Sequence, residues 1–320
     1  MRALLSGGAG FVGANLVRAL LAAGHEVHLL VRPARARWRL EEVRERLHLH
    51  EVPDLDDPRV DEVVRAVSAE WVFHLAAYGN AHTQRDAARI VSTNVLGTTR
   101  LLEAALGAGC AAFVHTGSSS EYGARERAMR EDDRLEPNSH YALSKAYATQ
   151  LGRQRARETG ARVVTLRLYS VYGPWEAPER LIPTLIREGR AGRLPPLVAP
   201  ETGRDFVHVD DVVRALLLAT RAAPGAVLNV GSGVQTTIRE AVELCRAHFG
   251  LEVEPEWGSL PSRRWDTSVW LSDPGRIEAE LGWRAELSFA EGFRRTAEWA
   301  ADRAVGRLPR QGSGDPAVPP

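Results

Sequence analysis

Tyr141 and Lys145 stand four residues apart in Tyr141-Ala142-Leu143-Ser144-Lys145, a spacing that puts two side chains on one face of a helix. A free phenol titrates at about 10 and is a poor acid or base at neutral pH. An ammonium beside it stabilises the phenolate and lowers that value, so the pair can transfer a proton. Upstream, His115-Thr116-Gly117-Ser118-Ser119-Ser120-Glu121-Tyr122-Gly123 follows directly on an apolar, strand-like run. A hydroxyl at a strand's carboxyl end can hydrogen-bond a substrate carbonyl or alcohol while Tyr141 moves the proton. Neither motif is specific alone: Tyr–x3–Lys is common by chance, and a polar surface loop has the same composition as the turn.

A third motif opens the chain, Ser6-Gly7-Gly8-Ala9-Gly10-Phe11-Val12-Gly13. It satisfies GxGxxG through Gly8, Gly10 and Gly13, and GxxGxxG through Gly7, Gly10 and Gly13. Glycines at this spacing give a tight turn, close backbone approach to a pyrophosphate and close helix–strand packing. The helix that follows supplies free N–H groups at its start. Gly7, Gly10, Phe11, Val12 and Gly13 are therefore expected to hold a dinucleotide. The next strand ends Leu29-Leu30-Val31-Arg32-Pro33, with Arg35 and Arg37 close behind and no carboxylate for an adenosine 2′-hydroxyl. Arg32 would accommodate a 2′-phosphate, which favours NADP(H) over NAD(H); a solvated basic loop is the plainer alternative.

These motifs need elements to position them. Ala3–Leu5, Glu26–Val31, Leu47–Val52, Trp71–Ala76, Ala112–His115 and Val163–Leu168 read as strands. Val12–Ala23, Val60–Val67, Ala87–Leu106 and Tyr141–Thr159 read as the helices between them. Strands alternating with helices predict an α/β fold, a doubly wound parallel sheet that binds its ligand at the strands' carboxyl ends. Beyond residue 172, Pro174, Pro178, Pro183, Pro195, Pro196 and Pro200 punctuate short segments, as in a smaller C-terminal substrate-binding lobe. The expected division is a dinucleotide-binding domain over 1–172 with 205–230 returning to it. A lobe follows over 173–204 and 231–308, ending in a helix over Ser288–Ala304, then a disordered tail over 309–320.

Composition narrows the function classes. Lys plus Arg and Asp plus Glu both number 41, so no net field steers the chain towards nucleic acid or a membrane. Cys110 and Cys245 are the only cysteines, and no Cys/His spacing predicts a metal site. Met1 leads straight into Ala3-Leu4-Leu5, and the best apolar run, Val212–Ala219, is too short to span a bilayer. A soluble cytoplasmic protein with reduced thiols is expected. His74, His115 and His208 read as satisfied core histidines, and Trp175, Trp257, Trp265 and Trp270 as lobe packing. Arg125, Arg127 and Arg130, before Glu131-Asp132-Asp133, read as a solvated loop.

Taken in order, these motifs resemble those of an extended short-chain dehydrogenase/reductase, in the group of nucleotide-sugar epimerases, dehydratases and 4-ketoreductases. The match includes the glycine loop, Asp54-Leu55, His74-Leu75-Ala76-Ala77, Asn94-Val95-Leu96-Gly97-Thr98, the serine-rich turn and Tyr141/Lys145. It continues through Tyr172-Gly173-Pro174 and Arg204-Asp205-Phe206-Val207-His208-Val209-Asp210-Asp211, and covers the chain to about residue 300. The resemblance implies a Rossmann-type sheet and a nucleoside-diphosphate sugar as substrate. It implies Ser118, Tyr141 and Lys145 as catalytic residues, with Lys145 also holding the nicotinamide ribose. Asp54 and Leu55 would bracket the adenine, Leu75, Ala76 and Ala77 would line the cofactor path, and Asn94 would support the wall of the site. Arg204 and Arg263 match diphosphate-binding positions. Ser119 and Ser170 fall at substrate-site positions, Ser170 where many relatives carry Asn.

The resemblance leaves the reaction open. Related 4,6-dehydratases place a Glu two residues before the Tyr of the turn, often after an Asp, but here those positions hold Ser120 and Ser119. An NADPH-dependent reductase of a 4-keto-6-deoxyhexose is the expected activity, on the strength of Arg32, with an NAD-dependent 4-epimerase as the alternative. A dinucleotide-sensing binding protein is the non-enzymatic alternative. Helices Ala87–Leu106 and Tyr141–Thr159 are the pair through which relatives form a homodimer.

Overall fold

The apolar runs between amphipathic stretches become buried parallel strands, covered on both faces as a parallel sheet requires. The computed structural model describes residues 1–33, 37–80, 83–260 and 267–304. Arg35, Arg263, Trp265 and the tail 309–320 lie outside the described residues.

The strands are β1 (Arg2–Ser6), β2 (Glu26–Val31), β3 (His48–Glu51), β4 (Trp71–His74) and β5 (Ala112–Ser118). They continue with β6 (Val163–Leu168), β7 (Ser170–Tyr172), β8 (Gly203–His208), β9 (Val227–Val230) and β10 (Gln235–Thr237). The first helices are α1 (Phe11–Ala22), α2 (Arg59–Val67), α3 (Ala87–Ile90), α4 (Gly97–Gly107) and α5 (His140–Thr159). After them come α6 (Leu181–Arg190), α7 (Val209–Ala219), α8 (Ile238–Phe249), α9 (Gly275–Leu281) and α10 (Phe289–Ala304).

Seven strands form one sheet in the order β3-β2-β1-β4-β5-β6-β9, all parallel. The expected six strands are all present, and β9 adds a seventh beyond β6. The strand order reverses beside β1, between β2 and β4, which opens a crevice at the carboxyl ends of β1 and β4. On one face, Leu16, Val17 and Leu20 of α1 and Val212 and Leu216 of α7 pack on Leu5, Leu29 and Phe73. On the other, Val60 and Val64 of α2 and Leu101 and Leu102 of α4 pack on Leu4, Val72 and Phe113. A separate core of Ile182, Leu185, Ile186, Val242 and Phe293 joins α6, α8 and α10. Among the described residues no helix is long and apolar enough to cross a membrane.

Two departures from the sequence pattern matter for the site. The stretch read as one helix over Ala87–Leu106 contains a π-helical turn at Val91–Leu96 between α3 and α4, and periodicity cannot register such a widened turn. β5 runs three residues past His115, because Gly117 and Ser118 pair with Arg167 and Leu168 of β6. Ser118 is thereby the strand's last residue.

A second sheet, β10-β8-β7, was not anticipated from the sequence. Asp205 of β8 is fully buried at its centre. Its carboxylate accepts from Ser232 N at 2.6 Å, Ser232 Oγ at 2.7 Å, Gly233 N at 3.2 Å and Ser272 N at 3.0 Å, and also from Ser272 Oγ. One side chain thus ties the turn after β9 and the segment before α9 to β8. Asp205→Ala strands these donors and is expected to lower the unfolding free energy by about 3 kcal/mol or more. Urea denaturation checks this, and wild-type stability would mean that water replaces the carboxylate.

Candidate active site at the carboxyl ends of the strands

The turn after β1 is closed against the strand beside it. Gly7 has φ +74°, and a Cβ there would lie 2.5 Å from the backbone nitrogen of Ala76, beyond the end of β4. A Cβ on Gly13 would lie 2.2 Å from the carbonyl oxygen of Gly7. Gly10 caps α1 without a side chain, and the first intrahelical bond runs from Ala14 N to Gly10 O at 2.9 Å. The N–H groups of Phe11, Val12 and Gly13 precede that bond and have no side-chain cap, so they form a cradle for an anion at the positive end of the helix. A dinucleotide pyrophosphate fits this cradle.

The adenosine end is less acidic than the pyrophosphate end is tight. Arg32 follows β2 half-buried, and its carbonyl accepts from Arg37 at 3.2 Å. Arg37 is committed to Glu51 at 2.7 Å, whereas the Arg32 side chain makes no hydrogen bond or ion pair among the described residues. Asp54 accepts from Leu55 N at 3.0 Å. A Cβ on Gly97 would lie 2.6 Å from Cβ of Leu55, so the start of α4 presses on the residue that closes this end. Leu75, Ala76 and Ala77 are half-buried beyond β4, with Leu75 N bonded to Ser6 O at 3.0 Å.

Asn94 lies in the π-helical turn and staples two walls together. Its amide oxygen accepts from Tyr78 N at 2.8 Å, and its Nδ2 donates to Tyr78 O at 2.8 Å and to Ser144 Oγ at 2.9 Å. Ser144 immediately precedes Lys145 on α5, so the segment after β4 is held to the helix that carries Tyr141 and Lys145. Below them, His74 is bonded at both nitrogens, to Ser6 Oγ at 2.6 Å and Thr98 Oγ1 at 2.7 Å, as a core histidine should be. His115 corrects the sequence reading. It is buried, but neither ring nitrogen has a partner among the described residues, because its β5 position faces the His74 ring, 5.4 Å away. His208 likewise leaves Nε2 unpaired.

Ser118, Tyr141 and Lys145 converge at the end of β5. The Ser118 hydroxyl faces the Tyr141 phenol closely enough to favour its charged form, and lies 2.8 Å from Ser120 Oγ. Lys145 is buried, and its Nζ donates to Thr116 O at 2.8 Å and lies 5.9 Å from the Tyr141 ring centre. The expected lowering of the phenol by Lys145 is not what the structure shows. Burial pushes Tyr141 up to about 12, against a smaller opposite effect of the Ser118 hydrogen bond. Burial also lowers Lys145 to about 8, opposed by Glu121. The ammonium is held on a backbone carbonyl rather than against the phenol oxygen, and desolvation outweighs it.

Glu121 is the acid nearest the turn, and it faces inward. It is fully buried; one oxygen accepts from Ser118 N at 2.9 Å and the other from Arg167 Nε at 2.9 Å. Arg167, buried in β6, also donates to Tyr122 Oη at 2.8 Å, which donates to Asn229 of β9 at 2.7 Å. The sequence reading missed Arg167, although a charge in the apolar run Val163–Leu168 was the available signal. Ser119 is 5% exposed and accepts from Trp270 Nε1 at 3.1 Å. Ser170 is half-buried at the start of β7, and Arg204 on β8 donates to its neighbour's carbonyl, Gly203 O, at 2.7 Å.

Glu176 was also missed. Its side chain is 7% exposed, 3.8 Å from Arg180 Nε, and Oε2 has no hydrogen-bond partner among the described residues. Arg180 in turn acts electrostatically on Tyr141, which places this acid near the site. Burial pushes its carboxyl up to about 8, with Arg180 opposing.

Two consequences can be measured. Arg167→Met leaves Glu121 buried without its counter-charge and is expected to cost about 3–5 kcal/mol in urea unfolding; an unchanged midpoint would contradict the network. Glu176 binds its proton more tightly folded than unfolded, so its contribution to stability is present at low pH. That contribution is lost as pH rises from the ordinary carboxyl range through about 8. Glu176→Gln should therefore flatten the fall in melting temperature between those limits, and parallel wild-type and variant profiles would remove Glu176 as its cause.

Known proteins share this architecture. The sequence profile of the NAD dependent epimerase/dehydratase family matches residues 3–231. A dTDP-glucose 4,6-dehydratase of Streptomyces antibioticus is 32% identical over all of this chain and 98% of its own length. A UDP-glucose 4-epimerase from Thermotoga maritima, solved with UDP-glucose, superposes with TM-score 0.86 at 28% identity, covering 95% of this chain and 100% of that one. The Thermus thermophilus UDP-glucose 4-epimerase in complex with NAD superposes with TM-score 0.83 at 30% identity, covering 93% and 98%. With its profile, its relatives and its seven-stranded sheet in agreement, the chain belongs to the NAD dependent epimerase/dehydratase family, among the extended short-chain dehydrogenases/reductases that act on nucleotide sugars.

Proposed function

We propose that the protein moves hydride to and from C4 of a nucleoside-diphosphate hexose without eliminating water, and that it is a 4-epimerase using retained NAD. The observation that carries the reading is the orientation of Glu121. The acid of the serine-rich turn is consumed by Arg167 and Ser118 N, while Ser118, Tyr141 and Lys145 remain to handle a C4 oxygen. An epimerase needs only those three side chains, whereas dehydration also needs an acid placed against the sugar.

A nicotinamide dinucleotide seated on the cradle of α1 supplies the hydride acceptor and donor. Ser118 Oγ orients the C4 oxygen by hydrogen bonding. Tyr141 takes the hydroxyl proton as C4 is oxidised and returns it as C4 is reduced from the other face. Lys145 would hold the cofactor ribose and, once charged, add positive charge near Tyr141. Arg204 and Ser170, with Arg263, would meet the diphosphate, a task suited to the planar guanidinium.

Arg32 favours a second reading, the NADPH-dependent 4-ketoreductase, because it follows β2 with no side-chain partner among the described residues and matches the position of a 2′-phosphate ligand. The two separate on one preparation. The epimerase retains NAD⁺ through purification and converts a UDP- or dTDP-hexose into its C4 epimer by NMR with no net cofactor use. Weak binding that prefers NADPH by tenfold or more, about 1.4 kcal/mol, and is lost in Arg32→Ala would establish the reductase instead. A 4-keto-6-deoxy product would sink both. Tyr141→Phe is expected to cut turnover by about 10²–10⁴-fold while leaving dinucleotide retention intact. Dinucleotide binding with no turnover of any nucleotide sugar would leave a sensing protein.

The homodimer belongs to the same proposal. Four of the eight exposed large apolar side chains among the described residues, Val91, Leu96, Leu143 and Tyr147, lie on the segment from α3 to α4 and on α5. Thr99 Oγ1 and Tyr147 Oη, 3.0 Å apart, join the two helices. Sedimentation should give a dimer that Leu143→Asp dissociates; a wild-type monomer at micromolar concentration would refute the arrangement.

A further inference from the structure

We infer that the outer edge of the seven-stranded sheet holds a divalent transition-metal ion, bound by Glu26, His28 and His48 with His50 behind them. β3 is the edge strand, and its register with β2 puts His28 directly opposite His48. Glu26 is two residues before His28, and His50 two after His48. Side chains alternate along a strand, so all four project from one face of two neighbouring strands. The other face carries Val27, Leu29 and Leu49 into the core under α1.

The donor atoms are already gathered. Single ligand atoms of Glu26, His28 and His48 lie within 4.8 Å of one another. His28 Nε2 is 2.9 Å and His48 Nε2 is 3.7 Å from the same Glu26 oxygen. A tetrahedral zinc ion with bonds of about 2.0–2.2 Å needs ligand atoms roughly 3.2–3.6 Å apart, so small side-chain rotations suffice. Two imidazoles and a carboxylate are a donor set that zinc, cobalt(II) and nickel(II) accept, with water completing the coordination.

His50 supplies the feature that distinguishes a built site from a chance cluster. His28 Nδ1 lies 3.0 Å from His50 Nε2. Without metal, His28 Nε2 donates to Glu26 and Nδ1 accepts from His50; on binding, the proton moves to Nδ1, which then donates to His50 and leaves the Nε2 lone pair for the ion. Outer partners of metal-bound histidines act in this way. The His28 ring is stacked with both neighbours, at 18° to His48 and 13° to His50, so its orientation is fixed.

The site stands at the amino ends of β2 and β3, whereas the glycine loop and Ser118 stand at the carboxyl ends of their strands. A metal ion here would clamp the edge strand to its neighbour without touching the reaction. No linear motif announces it: His28 and His48 are twenty residues apart in sequence, and only the pairing of β2 with β3 unites them.

The test uses the full chain without an affinity tag, stripped with chelator and titrated with Zn²⁺ by calorimetry and with Co²⁺ by visible absorption. One equivalent should bind, with the intense d–d bands of a four- or five-coordinate cobalt(II) site, and zinc should raise the melting temperature. His28→Gln and His48→Gln should abolish saturable binding, and His50→Gln should weaken it by about 10- to 100-fold. His25→Gln, a neighbour outside the cluster, should leave it unchanged. His48 is exposed, so its variant remains informative if the buried His28 variant misfolds. The inference fails if no equivalent binds, if the cobalt spectrum is that of the hexa-aqua ion, or if His48→Gln binds as the wild type does. Those results would leave a hydrogen-bonded cluster only.

Discussion

The buried pair of Glu121 and Arg167 is the constraint on which the reaction centre rests. Removing two charges from water costs several kcal/mol for each ion, and the cost is offset only where every donor and acceptor is used. Here the carboxylate holds Arg167 with one oxygen and the backbone of Ser118 with the other. The guanidinium extends the chain of bonds through Tyr122 to Asn229, whose side chain donates to Met129 O at 2.8 Å. A Cβ on Gly117 would lie 2.6 Å from Glu121, so the strand before Ser118 must be bare for the carboxylate to turn inward. The backbone of Ser118 is thus held from beneath by a buried network.

That same network bears on the proposed chemistry of the turn. An acid that removes or delivers a proton on a sugar must be exposed to it and free to change charge. Glu121 is neither, since protonating it would leave Arg167 uncompensated in the interior. The hydroxyls of Ser118 and Ser120, 2.8 Å apart, are groups that can orient an oxygen without changing charge. Relatives named as dehydratases and relatives named as epimerases match this chain at similar identity, so global likeness does not separate the reactions; the proposed reading rests instead on side-chain direction in one short turn.

What the sequence made legible follows from what the physics leaves no choice about. Gly7 and Gly13 face backbone at distances that admit no Cβ, so the dinucleotide loop is written in residue type. Tyr141 and Lys145 share a helix face by their spacing, whereas Ser118 was singled out among three serines only by the family resemblance. The second sheet was hidden because β7 and β10 have three residues each, too few for a period to register. The role of Asp205 was hidden because a carboxylate in a motif reads as ligand-facing until its partners are seen, and that of Arg167 because it lies within a run that reads only as a strand. The π-helical turn that aims Asn94 and the cross-strand histidines both depend on geometry that no linear pattern encodes.

Burial moves the two titrating groups of the site in opposite directions on the pH scale, Tyr141 up to about 12 and Lys145 down to about 8. Both shifts favour the neutral form, since desolvation penalises any charge. At neutral pH the bare protein therefore holds Tyr141 as a proton donor, the state that reducing a ketone requires. Oxidising an alcohol requires the opposite state, and the protein's own charges do not supply it: Lys145 is turned to Thr116 O, and Arg180 acts only as a weaker influence. Hydrogen bonds donated by Lys145 to ribose hydroxyl oxygens and a cationic ring beside Tyr141 would each favour the charged forms. A catalyst whose Tyr141 must alternate between acid and base in every turnover gains from keeping those charges in place. That electrostatic demand, more than any single contact, ties the epimerase reading to a cofactor that does not leave.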